Sequence, residues 1–371
     1  MTLPFFPPDL FEADRDVLLK IVHEVGTDPR QKFILGDRTA ALERELQSMT
    51  GAGDVIACGS GTGALTLAVH AAGIKPGDEV IVPAFCCQPV ASTVANLGAT
   101  PVFADADPWT MVLDPDDVER LITERTRAIM PAHVFSIMAD MPRLNQIAER
   151  HELTVIEDAA VAQGAVLDGR PAGMWGDIGV FSFFQVKAFG TAGEGGVVLT
   201  DDPALARRVR MLRNHGQDGV HRFLHHEVGY NSRFDEVIAE FQLHRLPTFA
   251  ERLERRAQIA DYYSERFTPL RDRGVVAPPA GRNGRCYYVY SLLVERREDL
   301  RSYLTERGIG SHIYYPVPLP RQPAFAEWAP EGQVWPGAEQ VSKRNLAIPI
   351  WPHMRDTDVE YVADTVCEFF D

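Results

Sequence analysis

A lone lysine, Lys187, sits in the stretch FSFFQVKAFGTAGEGG, residues 181–196, among phenylalanines, small residues and glycines. Most lysines are solvated surface charges, but a phenylalanine-rich approach shelters this one. Removing water from an ammonium lowers its pKa and frees the lone pair to attack an aldehyde and form a Schiff base. In CGSGTGAL, residues 58–65, a strand is expected to end and a helix to begin, with Gly59, Gly61 and Gly63 freeing the backbone. Exposed N–H groups and the helix dipole at such a turn suit a phosphate dianion, although many strand-to-helix turns hold nothing. In LTVIEDAA, residues 153–160, an apolar strand delivers Glu157 and Asp158 to the sheet edge. A carboxylate there caps the next helix, or keeps a heteroaromatic nitrogen protonated so that the ring takes up electrons released at carbon.

Elements must bring these three stretches together. The runs DVIAC, EVIVPAF, TPVFAD, TRAIMPAHVF and LTVIED read as strands, and GVFSFF and VVLT follow the same pattern on either side of Lys187. GALTLAVHAAG and DPDDVERLI read as helices between them, the second opening on helix-start residues. Alternating strands and helices imply a mainly parallel sheet, with sites just beyond the carboxyl ends of its strands. From about residue 233 the pattern becomes a long amphipathic helix, broken near Pro247. After it, YYVYSLLVE, REDLRSYLTERG and IGSHIYYPVP read as strand, helix and strand, and DVEYVADTVCEFF as a closing helix. The chain of 371 residues, 45% apolar, therefore divides into a large domain over 1–245, with an N-terminal arm of about 1–35, and a small α/β domain over 246–371.

Composition removes several classes of function. A formal charge of −15 repels phosphate backbones and anionic lipid, so neither nucleic acid nor membrane is an expected partner. The start, MTLPFFPPDLFEADRD, has no basic residues followed by an apolar core, and a soluble cytoplasmic protein is expected. Cys58, Cys86, Cys87, Cys286 and Cys367 form no paired ladder and no CxxC, which favours reduced thiols over disulfides, metal ligands or nucleophiles. His221 and His225 share helical i, i+4 spacing, but without HExxH or a carboxylate set they read as loop residues, and no metal is expected. The glycine turn also fits GxGxxA, the dinucleotide fingerprint. A Rossmann oxidoreductase would need an acid where the second strand ends, and Pro83 and Ala84 stand there instead.

A phosphate cradle, an acid for a ring nitrogen and a sheltered lysine are together what pyridoxal phosphate requires. The ordered motifs GSGTGAL, IEDAAVAQGA, GDIGVFSFFQVKAFGTAGEGG, LRNHGQDG and GYNSRFDEVIAEFQL resemble the DegT/DnrJ/StrS sugar aminotransferases over nearly the whole chain. These are fold type I pyridoxal-phosphate enzymes of the aspartate aminotransferase superfamily. The resemblance implies that Lys187 holds the cofactor through a Schiff base, Asp158 pairs with the pyridine nitrogen and Ala160 lies against a ring face. Ser182, Thr62 and the amides near Gly61 and Gly63 would bind the cofactor phosphate. Asn231, in an Asn-x-Arg motif with Arg233, would reach the phosphate held by a neighbouring subunit, implying a homodimer with shared sites.

Departures from the family pattern surround the expected sugar position. Cys87 stands where an aromatic residue usually covers the open ring face, and a thiol stacks poorly. Val161 replaces a polar cofactor contact, with Gln163 able to compensate; Tyr314 and Pro320 replace two histidines. Arg233 and Tyr314 are thus expected near the substrate. The resemblance implies transfer of an amino group from L-glutamate or L-glutamine to a keto sugar, a nucleotide-linked keto-deoxyhexose, in amino-sugar or antibiotic biosynthesis. The changed residues leave a keto-cyclitol acceptor open. Lys187 speaks against the dehydratase branch, which carries histidine there. A cofactor-binding regulator without turnover is the competitor from another class; the acidic charge and the lack of a DNA-binding domain count against it.

Overall fold

The structure, a computed structural model, describes residues 2–7, 14–30, 32–135 and 137–371. Five strands alternate with helices: Asp54–Cys58 (β1), Glu79–Pro83 (β2), Thr100–Ala104 (β3), Thr126–Ile129 (β4) and Thr154–Asp158 (β5). A short hairpin, Val166–Leu167 (β6) with Arg170–Pro171 (β7), precedes Ile178–Ser182 (β8) and Gly196–Thr200 (β9). The main sheet has the order β1-β9-β8-β5-β4-β2-β3. Its strands run parallel except β9, which pairs antiparallel with both β1 and β8. Every residue of β2, β8 and β9 is buried. Because successive side chains point to opposite faces, such strands need cover on both, and the flanking helices supply it.

That order removes the dinucleotide reading on structural grounds. The hydrogen-bonded neighbour of β1 is β9, not the next strand in sequence, so no ribose-gripping position lies beside the glycine turn. Since β9 runs opposite to the others, it starts at the edge where they end. The turns after β1, β2, β4, β5 and β8, and the one before β9, therefore gather at one edge.

A second sheet, antiparallel in the order β10-β11-β12, is built from Val275–Val276 (β10), Tyr290–Val294 (β11) and Asn345–Ile348 (β12). Its own cluster of buried side chains includes Tyr263, Phe267, Leu292, Leu304 and Val362. The expected long helix forms as Glu236–Arg245 and Phe249–Phe267, joined by a 3₁₀ turn over Leu246–Thr248 that contains Pro247. One expected strand does not form. The segment IGSHIYYPVP makes only isolated bridges, Leu3 to Ile309 and His312 to Ala347, and Pro316 and Pro318 have no N–H to give a ladder. The third strand of this sheet is instead Asn345–Ile348, whose sequence carried no strand expectation.

The expected arm includes residues 1, 8–13 and 31, which lie outside the described residues. Within it, Arg15–Thr27 is a helix whose Ile21 and Val25 pack on Phe241. No helix among the described residues is long and apolar enough to cross a membrane.

Candidate active site

The carboxyl edge of the main sheet gathers the candidate residues. Ser60 caps the helix Gly61–Ala71, its Oγ accepting from the Gly63 amide at 2.9 Å. The Gly63 N–H is thereby engaged, and the amides of Gly61 and Thr62 are the ones with no partner among the described residues. Gly61 is required by packing: a Cβ on it would lie 2.6 Å from the Ser182 Cβ. Without that methyl, the end of β8 comes up against the helix N-terminus, and Ser182 joins two backbone donors in one concave patch.

Lys187 is set by a tight turn after β8. Its amide donates to the Phe184 carbonyl at 2.8 Å and its carbonyl accepts from Gly190 at 2.9 Å. From the helix Glu236–Arg245, Gln242 Nε2 holds the Phe189 carbonyl at 2.9 Å, and Arg245 holds that of Gly190. The turn is thus pinned from behind by two buried side chains.

Two adjoining cavities meet at this lysine. The first, about 220 Å³, is lined by Gly61, Thr62, Ser182 and Glu194. The second, about 200 Å³, is walled by His133, Phe135, Tyr288, Tyr314 and Tyr315. Cys87, Asp158, Ala160, Phe184 and Lys187 line both. A phosphate-sized cradle therefore lies at one end, an amine and a carboxylate in the middle, and a largely aromatic chamber at the other.

Burial acts on the two central charges in opposite directions. It lowers the Lys187 pKa, against the pull of Cys87 and Asp158. It raises that of Asp158, against the Ala160 amide, which donates to Oδ1 at 3.0 Å, and against Lys187 and His133. Burial also pushes the Cys87 thiol up to about 11, so the thiolate needed of a nucleophile is suppressed at neutral pH.

Gln163 is buried and lines neither cavity; its Nε2 donates to the Ser182 carbonyl at 2.5 Å. Its place is behind the cradle, positioning Ser182. Asn231 lines a separate cleft with Gly59, Ser60, Gly63 and Thr66, away from Lys187 of its own chain. Arg233 turns its Nε to Asn231 Oδ1 at 3.0 Å and lines no wall of the Lys187 cavities. His221 and His225, alike in helical spacing, do not meet: His221 and His226 both hold Asp218, at 2.8 and 3.1 Å, while His225 bonds the His215 carbonyl. Among the described residues no cluster could hold a metal ion.

Sequence reasoning missed His133, Tyr288 and Tyr315. His133 Nε2 lies 2.7 Å from Glu157 Oε1, and its Nδ1 faces the Ala139 amide at 3.2 Å. Nδ1 must then accept, so Nε2 carries the hydrogen that Glu157 receives. Glu157 also takes the amides of Gly173, Trp175 and Gly176, which makes it a buried anchor turned away from Asp158. A histidine just past a parallel strand was a readable signal. The tyrosines come from segments a hundred residues on, where no spacing rule reaches.

The residues present suit pyridoxal phosphate: free backbone donors beside a serine, an aldehyde-reactive lysine, a buried acid, and room between them. A family model described as the DegT/DnrJ/EryC1/StrS aminotransferase family matches residues 20–367. The chain belongs to that family. Its relatives include a pleiotropic regulatory protein of Geobacillus stearothermophilus, 38% identical over 97% of this chain and 96% of that protein. Another is the UDP-N-acetyl-3-dehydro-alpha-D-glucosamine 3-aminotransferase of Acidithiobacillus ferrooxidans, 39% identical over 96% and 94%. Among solved structures, S. venezuelae DesV in complex with a ketimine intermediate superposes with a TM-score of 0.94 at 35% identity, covering 100% of this chain and 99% of that one. This aminotransferase accordingly has the fold type I architecture and the pyridoxal-phosphate cofactor expected from its motifs.

Proposed function

We propose that this aminotransferase moves an amino group from L-glutamate or L-glutamine to the keto group of a nucleotide-linked keto-deoxyhexose. The observation that carries the reading is the single line of cavities in which Lys187 stands between a phosphate cradle and a chamber large enough for a sugar ring. Relatives named for nucleotide-linked amino sugars, covering nearly all of this chain, support the acceptor class.

Pyridoxal phosphate, when bound, supplies an aldehyde that takes up the amino group and a ring that accepts electrons released at carbon. The amides of Gly61 and Thr62 with Ser182 Oγ would hold its phosphate, and Asp158 would hold a proton at the ring nitrogen. Lys187 would first bind the aldehyde and then, displaced by the donor, take the donor's α-proton at Nζ and return it one carbon away. A water supplies the carbonyl oxygen as the donor leaves as its keto acid, and the amino group stays in the site. In the second half the acceptor's keto oxygen would leave as water, Lys187 would deliver a proton to the acceptor carbon, and Lys187 would then take back the aldehyde as the amino sugar leaves. Phe184, Val186 and Val161 line the cavity beside this amine and would limit, without closing off, the access of water to it.

The functional unit we propose is a homodimer. Asn231 lies outside its own chain's Lys187 cavities, and Val220, Phe223, Leu224 and Val228 expose apolar surface on the loop just before it. A separate buried cluster under the second sheet supports a division near residue 246, although Leu293 and Ala347 of that sheet join the main cluster and the second cavity takes Tyr288, Tyr314 and Tyr315 from beyond it.

Two other readings are tested alongside. The aromatic chamber also suits a keto-cyclitol, and the regulatory name of one relative keeps binding without turnover in view. Protein loaded with pyridoxal phosphate should be yellow, lose that colour with the donor and regain it with a nucleotide-linked keto sugar. Recovery only with keto-cyclitols would move the acceptor class, and failure of any donor to bleach it would sink the catalytic reading.

A further inference from the structure

Lys187 is one of only five lysines in the chain, with Lys20, Lys32, Lys75 and Lys343. Its ammonium nitrogen lies 5.0 Å from the centre of the Tyr288 ring, over the face. The ring is held from several sides. The buried Arg256 donates to the Tyr288 carbonyl at 3.1 Å and to that of Ile350 at 2.7 Å, Phe6 packs at 6.5 Å between ring centres, and the hydroxyl is hydrogen-bonded to Tyr314. Tyr288 is itself 6% exposed. A rigid, desolvated aromatic face over a lysine that alternates between amine and ammonium is placed to replace water as the partner of the charged form.

We propose that Tyr288 is a positioning residue for Lys187, its ring face holding the ammonium in line with the reacting carbon between uptake and delivery of the proton. The catalytic part of this inference rests on the aminotransferase reading above; the contact itself does not. Around the same ammonium stand Asp158 at the end of β5, Cys86 and Cys87 in the turn after β2, and Glu194 in the turn before β9, with His133, Tyr314 and Tyr315 lining the aromatic chamber. The carboxylates draw the ammonium toward the cofactor end. The ring is the counterpart on the chamber side, and it adds no further negative charge that would trap the proton on Lys187.

The test uses the cofactor-free full chain and reads each of the five lysines by competitive acetylation across pH with peptide mass spectrometry. In Tyr288→Leu the Lys187 midpoint should fall by about half to one and a half pH units, the span from a partly exposed to a desolvated cation–π contact, while the other four stay fixed. Tyr288→Phe, which keeps the face and loses the hydroxyl, should restore the parent midpoint. If the leucine variant does not fold, fluorinated phenylalanines placed at 288 keep the shape and weaken the face stepwise, and the midpoint should fall in step. The donor half-reaction in loaded protein should slow several-fold in kcat, with KM little changed, for Leu but not for Phe. A midpoint indifferent to leucine or to fluorination, or a phenylalanine variant that behaves like leucine, overturns the proposal. A Lys187 shift in protein that aminates no sugar would instead fail the acceptor reading and leave this one standing.

Discussion

Between Lys187 and Asp158 the site sets up an opposition that burial creates and proximity limits. Burial alone would neutralise both; each opposes this in the other. Burial lowers the Lys187 pKa, so its free amine is available below the ordinary value of 10.5, and the alkaline rise of the donor half-reaction should fall below that pH. Lys187→Ala should lose the yellow adduct trapped by borohydride and slow transamination on the order of 10²–10⁴-fold. A variant exchanging amino groups at the parent rate, or a tryptic map placing the trapped cofactor on another lysine, would refute the assignment. Asp158→Asn keeps the shape and removes the charge. It should cost on the order of 10²-fold in kcat with the cofactor still bound, read by single-turnover absorbance. Gly61→Ala drives a methyl into Ser182, and overpacking of that kind costs about 1–3 kcal/mol; cofactor affinity should fall with it, measured by equilibrium dialysis.

At the scale of elements, the site is only as good as the joints behind it. Glu236 begins the helix that pins the lysine turn, and its buried carboxylate takes the amides of Gly36, Arg38 and Thr39 and the Thr39 hydroxyl, tying it to the helix Asp37–Thr50. Burial by itself would raise its pKa, but these donors outweigh that and hold it below the ordinary 4.5. A carboxyl depressed in the folded state stabilises above its unfolded value and loses that contribution as pH falls through the folded one. Glu236→Gln should therefore lower Tm at neutral pH, with the gap to the parent closing below about pH 4. A gap constant with pH would show that the charge plays no part. Gln242→Leu strands the Phe189 carbonyl, and about 1–3 kcal/mol of stability should go with it, measured by urea unfolding. Strand positions were readable because short apolar runs between turn signals have few other solutions. The exception is instructive: the β-rich IGSHIYYPVP failed as a strand because prolines interrupt its donors, and Asn345–Ile348 took the place beside β11.

For the molecule as a whole, the proposed homodimer is tested through Asn231. Asn231 faces a cleft on the outer side of the helix N-terminus whose inner side is its own cradle. If it serves a neighbouring subunit, Asn231→Asp, which sets a charge against a phosphate, should weaken cofactor binding. Mixing inactive Lys187→Ala and Asn231→Asp chains should then restore part of the activity, because one hybrid site carries neither change. Sedimentation showing a monomer with full activity would end the shared-site view.

The sequence by itself determined the strand and helix order of the main sheet, the cofactor class and the places of Lys187, Asp158, Ser182 and the glycine turn. Each of these depends on local backbone form and on one rule, that parallel strands end at a common edge. Only the tertiary structure decided that β9 separates β1 from β8, that the Gly63 amide is spent on Ser60, that Gln163 stands behind the cradle, and that Arg233 turns away toward Asn231. The same holds for His133 on Glu157 and Tyr288 over Lys187. Side-chain direction and contacts between distant segments follow from how whole elements pack, and no local pattern along the chain carries that information.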